Sequence, residues 1–135
     1  MSIVIRALIY MMVGITGEII FTAIKALILK RDLRLQGYTQ LWVMPMYALG
    51  GVLIFENLHF AMAGWFIGIR ALVYAFVIFA MEFLVGFLGE KLTGECPWKY
   101  EGRWNVLGYI DLIKLPFWGA AGIGFELIHH FLLTF

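Results

Sequence analysis

Four apolar stretches, Ile3–Leu29, Leu41–Ala63, Ile69–Gly89 and Leu115–Phe135, take up most of the chain. Each is long enough to cross a hydrocarbon core, which needs about 20 helical residues. Inside a bilayer every backbone polar group must find its partner within the structure, so such stretches are read as helices. Composition supports this. Apolar residues make up 63% and charged residues 14%, against roughly 45–50% and about 25% in soluble domains. A soluble protein of this size could not bury that much apolar surface. An ordinary cytosolic enzyme, a disordered regulator and a disulfide scaffold are thereby excluded. A net charge of +1 offers no basic field for nucleic acid. The lone Cys96 excludes an internal disulfide and a CxxC metal site.

The basic residues set an orientation. Lys25, Lys30, Arg31 and Arg34 flank the first connection, and Lys91, Lys99, Arg103 and Lys114 flank the third. Only Arg6 and Arg70 lie on the opposite side. The positive-inside rule then puts both basic connections in the cytoplasm. The expected location is the plasma (inner) membrane, multi-pass, with both termini outside. The first stretch carries Glu18 and Lys25 and no small-residue cleavage site, and it reads as a span rather than a signal peptide. The second connection, around Trp65, reads as a tight interfacial turn. The long connection at 90–111 alternates aromatic and basic residues, as expected at headgroup level.

An internal repeat carries the most information. Ile5-Arg6-Ala7-Leu8, Tyr10, Val13 and Glu18 recur at constant spacing as Ile69-Arg70-Ala71-Leu72, Tyr74, Val77 and Glu82. Gly37-Tyr38, Leu41, Pro45 and Gly51 recur as Gly108-Tyr109, Leu112, Pro116 and Gly122, and Phe55-Glu56…His59 recurs as Phe125-Glu126…His129. The expected fold is therefore an all-α membrane protein of four transmembrane helices. It arises by tandem duplication of a two-helix hairpin, with a pseudo-two-fold axis along the membrane normal. One integral domain spans residues 1–135, with repeats at 1–66 and 67–135.

Each expected crossing carries one glutamate: Glu18, Glu56, Glu82 and Glu126. At about 1.5 Å per residue, all four fall in the middle of a core about 30 Å thick. An acid there costs about 2.5–3.5 kcal/mol on the insertion scale, so the four are expected to face one another around the axis. They must be protonated, paired or bound to a cation. The plainer reading is neutral glutamates hydrogen-bonded between helices. Glu56-x-x-His59 and Glu126-x-x-His129 place nitrogen beside oxygen on one helix face. With Glu18 and Glu82 they form the ligand set of di-metal carboxylate bundles, so a divalent metal (iron, manganese or zinc) is a candidate cofactor. A haem between His59 and His129 is a second. Arg6 and Arg70 read either as snorkelling to headgroups or as substrate contacts at the mouth of the axis.

Walker A, GxSxG, HExxH and Rossmann signatures are absent from the sequence, so any ATP used would be hydrolysed by a partner. Further signals are Glu82-Phe83-x-x-Gly86, Cys96-Pro97-Trp98-x-Tyr100, Gly108 and Trp118-Gly119. On these the chain resembles the type IV ABC-transporter membrane proteins, which include the transmembrane protein 229 group. The likeness covers most of the chain and implies a small, transport-related, multi-span protein.

The leading expectation is a permease-like protein whose four glutamates bind protons or a cation, with His59 and His129 as an outer gate. One rival is an intramembrane metal-dependent enzyme acting on a lipid or isoprenoid. Another is a structural or assembly subunit that docks a partner through Trp98, Tyr100 and Trp104. Expected partners are the lipid bilayer, a second copy in a homodimer, and a separate ATPase subunit.

Overall fold

The computed structural model describes residues 1–135. Helix α1 (Ile3–Lys30) starts where the Ser2 side chain accepts a hydrogen bond from the Ile5 amide. It stops at Arg31, whose left-handed backbone turns the chain. Helix α2 (Val43–Ala61) contains a π-helical stretch at Gly50–Phe55. The paired glycines let this stretch close on its neighbours, because a Cβ at Gly51 would collide with the Tyr10 ring. Helix α3 (Ile67–Thr93) ends at Gly94, held at φ +84°. Helix α4 (Leu115–Leu132) carries Pro116 in its first turn, where a missing amide N–H costs little.

Packing runs mainly within the hairpins α1–α2 and α3–α4. One end of the bundle carries both termini and the α2–α3 turn; the other carries the two long connections. A small core of Tyr10, Val52 and Leu132 lies toward the terminal end, and a second of Ala75, Phe79 and Trp118 lies deeper. The surface inverts the soluble pattern. Ile20, Phe76 and Leu84 are more than half exposed, while Glu82 and Glu126 are each only 4% exposed. Apolar outside and acid inside is the arrangement that lipid demands.

Helices α1, α2 and α3 are long and apolar enough to cross a membrane. Helix α4 is outside that set. It is 18 residues long and carries Glu126, His129 and His130, which lower its apolar content. The all-α expectation also needs correction. The connection at 90–111 holds a two-stranded antiparallel hairpin, β1 (Asn105–Val106) with β2 (Ile110–Asp111). Gly108 at φ +76° and the Asn105 side chain, which accepts from the Gly108 amide, make its turn. The hairpin is tied back to α3. The Trp98 indole donates to the Tyr109 carbonyl at 2.8 Å, and Pro97 packs over Gly89.

Tyr109 donates to Glu90 at 2.5 Å, and that bond lifts the phenol to about 12, from about 10 in an unfolded chain. A raised folded value stabilises the fold fully below pH about 10 and ceases to do so as pH passes about 12. The stability gap between wild type and Tyr109→Phe is therefore expected to be constant up to pH about 10 and to close by about 12. Unfolding titrations across that range measure it.

Candidate functional site

The glutamates divide into two tiers. The single four-carboxylate centre expected from the sequence is not assembled.

At the terminal end, Arg6 and Arg70 point inward and each grips a glutamate with two nitrogens. Arg6 meets Glu56 at 2.8 and 3.1 Å, and Arg70 meets Glu126 at 3.0 and 3.1 Å. Neither arginine is given over to headgroups. The remaining guanidinium nitrogens bond the carbonyls of Met1 and Trp65, each five residues upstream. One turn further along each helix, Tyr10 donates to Glu56 at 3.1 Å and Tyr74 donates to Glu126 at 2.6 Å. The histidines cross between hairpins. His129 lies 2.8 Å from the Tyr10 hydroxyl, and His59 lies 3.2 Å from Glu126. Each tyrosine has spent its proton on a carboxylate, so the network assigns Nδ1–H to both rings. His59 Nε2 then accepts from His130 at 3.1 Å.

This tier is self-satisfied. No three His, Cys, Asp or Glu side chains are placed to share a metal ion. The His59 and His129 rings meet edge to face at 5.2 Å, which leaves no slot for a haem plane. The phenyl rings of Phe55 and Phe125 pack against Tyr10 and against each other.

Toward the other end, α1 and α4 part around a cavity of about 920 Å³. Its walls include Glu18, Glu82, Tyr47, Tyr100, Lys114 and Trp118. Glu18 is satisfied, accepting from Thr39 at 2.6 Å and Tyr47 at 2.9 Å. Glu82 is not. One oxygen accepts from Tyr100 at 3.1 Å, and the other is buried without a partner. The Trp118 indole N–H, likewise buried, faces Glu82 without closing a full hydrogen bond. Lys114 donates to the Tyr100 hydroxyl at 3.0 Å, making a relay from ammonium through phenol to carboxylate. Burial pulls the Lys114 ammonium below the usual lysine range, and the Glu82 charge opposes that pull.

Of the residues singled out in the sequence, Arg6, Glu56, His59, Arg70, Glu126 and His129 meet in the first tier, and Glu18 and Glu82 line the cavity. Tyr10, Tyr74, Thr39, Tyr47, Lys114 and Trp118, not singled out there for a role, join them in the structure. For the tyrosines the signal was present: Tyr10 and Tyr74 recur in the repeat, four residues beyond an arginine and so on the same face. Trp98 and Tyr100, expected to dock a partner, bond inside the chain, whereas Trp104 is 55% exposed.

The family model described as "Putative ABC-transporter type IV" matches residues 7–135. No solved structure matches the chain.

Proposed function

The chain belongs to the putative type IV ABC-transporter family, and from that premise we propose that it is a small permease-like membrane protein. Its chamber opens toward the cytoplasm and binds a proton or cation at Glu82 and Glu18 in step with solute movement. The paired Arg–Glu–Tyr–His tier closes the outer side. In this reading α4 is a fourth span, because its Glu126 and His129 are bonded inside the bundle. The two hairpins are duplicated units, related by a pseudo-two-fold axis along the membrane normal, and both termini face outward. Equivalent bonding of Arg6–Tyr10–Glu56 and Arg70–Tyr74–Glu126 supports the duplication. The cytoplasmic hairpin, with Trp104 and Leu107 exposed, is the face for a separate ATPase subunit. A second copy would complete a homodimer.

One observation carries the reading: Glu82 is 4% exposed on the chamber wall, with one oxygen short of a full hydrogen bond. A buried acceptor left unmade is expensive and marks a place where something else binds. In proteoliposomes under an imposed potential and without solute, wild-type protein is expected to show a proton leak through the chamber, the slip that accompanies loose coupling. Glu82→Gln is expected to lose at least about tenfold of that flux, equivalent to about 1.4 kcal/mol, while inserting normally. Equal flux in both contradicts the reading.

A further inference from the structure

The two halves are chemically unequal at the same depth. In the first, Tyr47 closes Glu18. The matching position in the second is Trp118, which leaves both itself and Glu82 with an unmade bond. Both residues are at least nine-tenths buried, at 5% and 4% exposure. The second half is therefore the one built to receive a ligand, and its open groups describe that ligand. Glu82 Oε2 and the Trp118 indole N–H face each other without closing a full hydrogen bond, so a group that donates to the one and accepts from the other fits between them.

A third feature supplies the charge. The Lys114 ammonium sits 4.3 Å from the Tyr100 ring, 5.3 Å from Phe21 and 6.0 Å from Trp118. Aromatic faces around an ammonium, next to a carboxylate, are the chemistry that recognises organic cations. Here the cage is filled by the chain's own lysine, a point charge on a flexible four-carbon stem.

Resting on the chamber reading above, we infer that the cavity binds a protonated organic amine bearing a nearby oxygen, in the cage of Phe21, Tyr100 and Trp118 closed by Glu82, and that Lys114 is a tethered occupant which the ligand displaces. The ligand's N–H donates to Glu82 Oε2, and its oxygen accepts from the Trp118 indole. The volume of about 920 Å³ leaves room for an apolar body beside the polar head.

The probe is 2-amino-1-phenylethanol, which carries an ammonium, an adjacent hydroxyl and an aromatic body. Its neutral counterpart, 1-phenylpropan-1-ol, replaces the ammonium with a methyl group. Purified full-length protein is titrated with each by calorimetry. Lys114→Met removes the tethered competitor and is expected to bind the amine at least tenfold tighter than wild type. Adding Glu82→Gln to Lys114→Met reverses the gain at least tenfold. Adding Phe21→Leu instead weakens binding at least threefold while leaving every charge in place. The neutral alcohol is expected to bind all variants equally weakly. If the amine binds Lys114→Met no tighter than wild type, or no tighter than the alcohol, while the Glu82-dependent proton flux persists, the amine assignment alone is overturned. Loss of both the binding and the flux overturns the chamber reading with it.

Discussion

Glu126→Gln is expected to destabilise the protein by about 3–5 kcal/mol, the usual consequence of removing one partner from a buried ion pair. The Glu126 side chain is 5% exposed and accepts from Arg70, Tyr74 and, through Nδ1–H, His59. A neutral amide keeps the shape but cannot balance the guanidinium, which stays fixed by its bond to the Trp65 carbonyl. Removing both charges in Arg70→Gln/Glu126→Gln is expected to recover part of the loss, since no uncompensated ion is left. The comparison is Arg34→Gln. That residue pairs with Asp32 at 3.0 Å, but its side chain is 73% exposed, so the change is expected to stay within about 0.5 kcal/mol. Titration with a denaturing detergent, followed by circular dichroism, measures all four proteins. A small effect for Glu126→Gln would mean that the tier at the terminal end does not hold the bundle together.

Gly122→Ala is the second large effect. A Cβ there would overlap the Cβ and Cγ of Tyr74, the residue that donates to Glu126. The neighbour being displaced is the base of a side chain held at its far end by a hydrogen bond, so it has little freedom to move. Overpacking of this kind costs about 1–3 kcal/mol. Gly51→Ala is expected to behave alike, because its Cβ would meet Tyr10 in the equivalent way. Gly17 has nothing within 4 Å of an added Cβ. Gly17→Ala is therefore expected to stabilise α1 by roughly 0.5–1 kcal/mol, from the lower conformational entropy of alanine. Opposite signs at Gly122 and Gly17 would separate close helix packing from mere helix propensity. The same detergent titration reads both.

The recurring Arg, Tyr, Glu and His spacings made the residues of the Arg–Glu–Tyr–His tier legible in order, but not their partners. Arg6 and Arg70 sit close to the ends of α1 and α3, where a long side chain can reach headgroups or turn inward with equal ease. Only the position of Glu56 and Glu126 on the neighbouring helix decides for the inward pose, and that is a tertiary fact. The split into two tiers was hidden for a related reason. Rise per residue gives depth along one helix, but the offset between helices depends on how they pack, and the π-helical stretch at Gly50–Phe55 alters the register just before Glu56. Thr39 lies in a connection that apolar periodicity does not describe, yet it satisfies Glu18. Lys114 looked like one more cytoplasmic charge. Its ring contacts with Phe21, Tyr100 and Trp118 bring together three separate parts of the chain. The β1–β2 hairpin was missed because its strands are two residues each, too short for alternation to show.

If the proposed chamber is reached from the cytoplasm and sealed from outside by the paired tier, a thiol placed in it reacts from one side only. Ala121 lines that chamber within α4. With Cys96→Ser removing the only native thiol, Ala121→Cys provides a single reporter. A membrane-impermeant thiol reagent is applied to inverted and to right-side-out vesicles. Labelling in inverted vesicles alone is the expected result; labelling from the outer side, or from neither, would contradict the account.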